Sequence, residues 1–343
     1  MQLTNGHRNL KLVAIGGGTG LSTLLSGLKY FVRTPQTPGA IDSLSAIVTV
    51  SDDGGSSGRL REELQMLPPG DIRNCMIALS EDSNLLSKLF RYRFRGSGDL
   101  GGHSFGNLFL AALTDITGDF AEAVRLSSEV LASKGHIYPA TISDVRLVAE
   151  LIDGRMVRGE TQITGARSTI KRLWLEPEHC APLTEAIAAI RKADVITLGP
   201  GSLYTSIIPN LLVSEVAQEI GASNATKIYI SNLMTQPGET DGYHLSRHLE
   251  TIREYAPPIH FDYVIVNDRP VDQTQAELYR ADGAYEVRVD IDSAQMHADR
   301  TEIVRTDLLD EGEMVRHNSQ RLAEVVVQCA FNAWSSPVFA LDS

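Results

Sequence analysis

Cysteine is scarce in this chain. Cys75, Cys180 and Cys329 are the only three, each more than a hundred residues from the next, with no C-x-x-C pair. An odd count at such spacing excludes a disulfide framework and a zinc knuckle, so all three are expected to be reduced packing residues. No run approaches the roughly 18 apolar residues of a membrane span, and the opening stretch MQLTNGHRNL lacks the apolar core of a signal peptide. A cytoplasmic protein with no membrane partner is expected. Positive charge is also short: 31 Lys and Arg face 43 Asp and Glu, for a net charge of -12. Nucleic-acid binding needs a basic field to displace counterions, and this chain has none overall. The local exception is Arg91-Tyr92-Arg93-Phe94-Arg95, three arginines interleaved with two aromatics. It reads as a solvated helix end with two buried rings, against the competing reading of a phosphate clamp. No Ser-His-Asp order, His-Glu zinc motif or Walker lysine loop is present.

What the chain does have is glycine at the ends of apolar strands. Lys11 to Ser22 reads KLVAIGGGTGLS: a β-forming run, an abrupt glycine loop, then a helix. Such a loop lets backbone approach a ligand closely and presents free N–H groups at the positive end of the helix dipole, where phosphate binds well. The dinucleotide fingerprint is incomplete, because Leu21 stands where its last glycine belongs, and Asp42 precedes the second strand instead of ending it.

Further on, a strand at Leu44 to Val50 runs into Ser51-Asp52-Asp53-Gly54-Gly55-Ser56-Ser57-Gly58. Adjacent carboxylates there suit a ribose hydroxyl or a divalent cation, or they cap a helix. Leu67-Pro68-Pro69-Gly70 is a rigid turn that predicts a helix capped by Asp71 and continuing to about Phe90. His103, in Gly101-Gly102-His103-Ser104-Phe105-Gly106-Asn107, is either a loop histidine donating one hydrogen bond or a ligand contact. From Asp144 the periodicity shortens to two, Asp153-Gly154 marks a hairpin, and strands are expected at Met156 to Ile163 and Ile170 to Leu175. The two-proline stretch Glu176 to Pro182 is the candidate linker. Buried strands then resume at Ala193 to Leu198, Lys227 to Ser231 and Tyr263 to Val266. Their carboxyl ends carry Gly199-Pro200-Gly201-Ser202, Asn232 and Asn267-Asp268.

Polar clusters at the carboxyl ends of successive strands define an α/β fold. The expectation is a doubly wound, mostly parallel Rossmann-like sheet with an antiparallel β-ribbon inserted at about 144–175. A single domain over 10–330 follows, with tails at 1–9 and 331–343. Converging glycine and hydroxyl loops point to a phosphate-bearing ligand.

The ordered set GGGTGLS (16–22), SDDGGSSGRLR (51–61), LPPGDIRNC (67–75), GHSFGN (102–107), LGPGSLYTS (198–206) and SNLMTQPGETDGY (231–243) resembles the YvcK family of gluconeogenesis factors, part of the larger CofD-like group. The resemblance spans about residues 10–330. It implies a protein needed for growth on gluconeogenic carbon sources and for normal cell shape, binding UDP-sugars and UDP-N-acetylglucosamine in particular. The CofD branch implies an alternative, a magnesium-dependent phospholactyl or nucleotidyl transferase. An NAD-binding protein is the second alternative. Carried over, the ligand-facing residues are Gly17, Gly18, Thr19, Asp52 and Asp53, with Gly201, Ser202 and Asn232 from the later loops. Arg316, and Tyr279 or Tyr285, correspond to the Arg and Tyr expected on the UDP-sugar. Arg316 would otherwise sit in a surface-helix salt bridge. Asp52 is the candidate magnesium ligand, and no cofactor is required for a sensor. Protein partners in envelope synthesis and a homo-oligomer are compatible with this reading.

Overall fold

The structure, a computed structural model, describes residues 10–34, 39–81, 85–291, 296 and 300–335. The expected tail 1–9 lies outside the described residues. Of the other expected tail, residues 331–335 belong to the last helix and the rest lies outside the described residues.

Seven strands form one sheet in which every neighbouring pair is parallel: β1 (Leu10–Gly16), β2 (Ile41–Val48), β3 (His136–Pro139), β7 (Val195–Leu198), β8 (Thr226–Ile230), β9 (Tyr263–Asn267) and β10 (Glu302–Thr306). Their order is β10-β9-β8-β7-β1-β2-β3. The chain winds from β1 outward to β3, then returns to the other side of β1 with β7, so the topological switch point lies between β1 and β7. Apart from Lys11, every residue of β1 is buried, and all four of β7 are. That is why both read as continuous apolar runs rather than alternating ones.

Thirteen helices surround this sheet among the described residues: α1 (Gly18–Leu28), α2 (Gly55–Leu64), α3 (Gly70–Leu79), α4 (Leu85–Arg91), α5 (Phe105–Thr117), α6 (Phe120–Val130), α7 (Glu160–Gly165), α8 (Thr184–Lys192), α9 (Ile208–Leu212), α10 (Val216–Ala222), α11 (Leu245–Tyr255), α12 (Gln273–Ala281) and α13 (Ser319–Ser335). Helix α1 packs against α3 and α13, and Gly27 of α1 has no room for a Cβ because the Ser319 carbonyl lies there.

Four expectations are corrected. The ribbon is inserted in the chain but not in the parallel sheet: β4 (Arg146–Leu151), β5 (Met156–Arg158) and β6 (Ile170–Glu176) form a separate antiparallel sheet in the order β5-β4-β6. The strand expected to reach Ile163 stops at Arg158, since Gly159 turns with φ +89° and α7 begins. The long helix from Asp71 is two helices. The Ser80 hydroxyl bonds the Ile77 carbonyl and the Ser87 hydroxyl at the break, so local side-chain bonding competes with the helix there. Finally, Glu176 to Pro182 is tied to the body, not a free linker: Thr141 donates to the Ala181 carbonyl and Cys180 is buried.

Strands β3 and β10 escaped the sequence pattern because both are edges. One ends in proline, and the other alternates charge with half-burial, features that protect sheet edges. The three cysteines are free and buried, as expected. No helix among the described residues is long and apolar enough to cross a membrane.

Candidate functional site

Because β1 and β7 pair directly, with Ile15 opposite Leu198, the two glycine loops that follow them lie side by side. They interlock. A Cβ on Gly20 would run into the Pro200 carbonyl, and Asn210 from the second loop's helix donates to the Gly16 carbonyl at 3.0 Å. Gly17 takes the N-cap position of α1 without a side-chain cap; the Gly18 N–H bonds the Asp71 carboxylate, and the N–H groups that follow it in the first turn have no partner within the helix. Gly18 follows with φ +60°, a conformation that glycine adopts freely and β-branched residues do not. After Ser202 the chain makes a π-helical turn (Leu203–Ile207), a distortion frequent at functional sites. It brings the Ser206 side chain against Gly17 and Gly18.

Between these loops opens a crevice of about 320 Å³. The α1 loop, Pro200 to Ser202 and Ser206 line it, together with Asn232 to Met234 and Gln236, and with Tyr279, Val315, Arg316 and His317. Gln236 Nε2 donates to the Ser202 hydroxyl at 2.6 Å, tying the second and third loops together. Two polar atoms here are buried without a partner, Asn232 Oδ1 and His317 Nε2. Burial lowers the His317 pKa to about 4, so its ring is neutral at pH 7.

The floor is acidic. Asp52, Asp71 and Glu160 line it, and Glu239 is buried behind. Burial first, and then the Asp52 charge, raises Asp71 to about 7, although the Gly18 N–H bonded to its carboxylate pulls the other way. Burial, with Asp52 and Asp71 next, raises Glu160 to about 9, and burial raises Glu239 to about 7. These carboxyls share one low-dielectric region and resist ionising together.

A family model described as 2-phospho-L-lactate transferase CofD matches residues 12–309. The chain belongs to the CofD family. Among its relatives are a gluconeogenesis factor of Halalkalibacterium halodurans, 45% identical over 92% of this chain and 95% of that protein, and the gluconeogenesis factor of Bacillus subtilis, 44% identical over 92% and 97%. A crystal structure of a UPF0052 family protein from Bacillus halodurans matches with a TM-score of 0.85 at 45% identity, covering 92% of this chain and 98% of that one.

Within this CofD-family fold, nine of the ten residues carried over from the sequence line the one crevice: Gly17, Gly18, Thr19, Asp52, Gly201, Ser202, Asn232, Tyr279 and Arg316. Asp53 does not. Its Oδ1 accepts from both the N–H and the hydroxyl of Thr161, at 2.9 and 2.8 Å, so it caps α7 from outside. Asp52 bonds the Gly54 N–H at 2.8 Å and keeps its face to the crevice. Of the two tyrosines, Tyr279 is at the site and its hydroxyl accepts from the Val315 N–H, while the Tyr285 side chain is exposed elsewhere. Arg316 is not on a helix, and among the described residues it forms no ion pair.

Asp71, Glu160, Ser206, Gln236 and His317 also line the crevice, beyond what the sequence reading singled out. Asp71 was visible as a helix cap, but Pro69 holds that position, and no local pattern marks a carboxylate that reaches back to another loop. His103 is buried, bonded through Nδ1 to Ser56 at 3.0 Å, and does not line the crevice. The Arg91 to Arg95 expectation is also corrected: the Tyr92 ring is exposed and Phe94 only half-buried, packed edge-to-face at 5.3 Å.

Proposed function

We propose that the crevice binds a UDP-sugar, UDP-N-acetylglucosamine in particular, and that binding reports metabolite level to central carbon and cell-envelope metabolism in the cytoplasm. The observation that carries this reading is Arg316. An exposed guanidinium without an ionic partner among the described residues faces the same space as the α1 N-terminus and the Thr19 hydroxyl. A diphosphate needs that pairing: amides and a hydroxyl on one side, a planar bidentate cation on the other. The unpartnered Asn232 oxygen and the Gln236 amide supply directional groups for a base or sugar. The name shared by the relatives describes a physiological role and not a reaction, which fits a sensor with regulated partners. In a thermal-shift titration UDP-N-acetylglucosamine raises the melting temperature more than NAD or GTP at equal concentration; ligand at a hundred times its dissociation constant adds about 2.7 kcal/mol. A larger shift with NAD overturns the assignment.

The second reading is a magnesium-dependent transferase, favoured by Asp52 and Asp71 on the crevice floor. Magnesium is commonly held by one or two carboxylates together with ligand phosphates and water, and this pair fits that role. Among the described residues no group of three or more His, Cys, Asp or Glu side chains is placed to hold a metal on its own. The ion would neutralise charge on a leaving phosphate. The two readings separate on incubation with magnesium. A sensor returns the sugar nucleotide intact and binds it within tenfold when magnesium is chelated. Magnesium-dependent release of UMP, UDP or sugar that disappears in Asp52→Asn establishes the enzyme.

A further inference from the structure

Three helices begin close together, and Asp71, which lines the crevice, lies in the first turn of one of them. They are α2, α3 and α5, of ten, ten and thirteen residues. One hydrogen-bonded chain links their first turns. His103 Nδ1 pairs with Ser56 Oγ at 3.0 Å, Asn107 Nδ2 donates to Ser56 Oγ at 3.1 Å, and Arg73 donates to Asn107 Oδ1 at 3.0 Å and to Asn74 Oδ1 at 2.7 Å. Positive dipole ends therefore meet at one place.

Cations are added to them. Arg59 is pinned to the Gly101 carbonyl at 2.7 Å and Arg93 to the Gly102 carbonyl at 2.6 Å. Burial, and after it the Arg93 charge, lowers the Arg73 pKa, and burial, with Arg59 and Arg93 acting the same way, lowers that of His103. Asp52, Asp71 and Glu63 lie within electrostatic range of this group. Yet among the described residues no carboxylate pairs with Arg59, Arg73 or Arg93, and Arg73 Nε is buried without a partner. Pinning a loop needs only donors. Three like charges held near one another without a carboxylate partner cost energy that a bound anion recovers.

We propose that Arg59, Arg73 and Arg93 form a second anion site, adjoining the crevice at Asp71, for the phosphate group of a small molecule, free or esterified. Guanidinium forks match phosphate oxygens, and Arg93 is exposed while Arg59 and Arg73 are half-buried, so all three are reachable. A net charge of -12 repels extended polyanions but leaves a compact dianion free to enter a local positive field. The site does not depend on which ligand fills the crevice.

The test is calorimetric titration with inorganic phosphate and, in parallel, glycerol 3-phosphate. Wild-type protein binds at least one of them saturably, and tighter binding of the ester identifies an esterified ligand. Arg93→Gln and Arg59→Gln, each folded by circular dichroism, weaken that binding at least tenfold, about 1.4 kcal/mol. Gly18→Val leaves it intact. Absence of saturable binding overturns the proposal, and so does binding that survives Arg93→Gln but is lost in Gly18→Val, because the phosphate then sits in the crevice. UDP-N-acetylglucosamine titrated into the same proteins tests the crevice reading separately: failure there leaves the arginine site standing.

Discussion

At the scale of single residues, two positions separate ligand contact from folding. Gly18 has φ +60° and its Cβ position is nearly empty, with only Ser206 Oγ at 3.8 Å. Space is therefore no obstacle, and conformation is. Gly18→Val forces the loop out of the left-handed region and removes its N–H from Asp71, so UDP-N-acetylglucosamine binding is lost by calorimetry while the circular dichroism spectrum stays native. Retained affinity returns the loop to a packing role. Arg316 makes the complementary case. Exposed and without an ionic partner among the described residues, it contributes little to stability. Arg316→Ala should weaken the sugar nucleotide by roughly ten- to a hundredfold, about 1.4 to 2.7 kcal/mol, with the melting temperature of the free protein unchanged. Arg316→Lys keeps the charge but loses the fork, and falls between. An equal loss in free-protein stability would show that Arg316 holds the wall and not the ligand.

At the scale of elements, α7 is a six-residue helix too short to stand by itself, and it carries Glu160 into the crevice. What anchors it is Asp53, 108 residues away in sequence, bonding the Thr161 N–H and hydroxyl. Removing a cap of this kind costs about 1 kcal/mol. Asp53→Ala is expected to raise hydrogen exchange across 159–165 ahead of the sheet and to shift the ionisation of Glu160, while leaving the glycine loops protected. Uniform protection in that variant would mean that packing of Ile163, and not Asp53, fixes the helix. The adjacent carboxylates thus have different tasks, Asp52 facing the crevice and Asp53 bracing α7.

At the scale of the whole molecule, the acidic floor sets the pH response. Asp71 and Glu239 are raised to about 7 and Glu160 to about 9, so the folded state holds protons that the unfolded chain has released above 3.8 to 4.5. Stability from these groups is complete at low pH and is lost as pH rises through their folded values. His103, His248 and His317 act oppositely: lowered from 6.5, they withdraw stability only as pH falls below that value. Above about pH 6.5 the carboxyls act without that opposition, and the denaturant midpoint should fall steadily towards pH 9. Glu160→Gln should flatten the fall, because Glu160 is the group whose folded value, about 9, lies at the top of that range. A midpoint constant from pH 6.5 to 9 would contradict the assignment.

Much of this protein was legible before folding. Apolar runs ending in Gly16 to Gly18, Asp52 to Gly55, Gly199 to Ser202 and Asn232 specified an α/β sheet with its chemistry at one edge, since buried parallel strands need unbroken β-forming sequence and their turns need glycine. Those are local requirements, satisfied within ten residues. The return of the chain to pair β7 with β1 is not local, and it alone sets the two glycine loops against each other. Nor does any local pattern distinguish Asp52 from Asp53, Tyr279 from Tyr285, or the helix residue Asp71 from an ordinary cap. In each case the decision rests on which neighbour, a hundred or so residues distant or across a turn, occupies the space beside the side chain. The sequence by itself determined the sheet and the edge where the site lies. Only tertiary packing decided which carboxylates share that low-dielectric floor and keep their protons, because burial and like charge are properties of the assembled crevice.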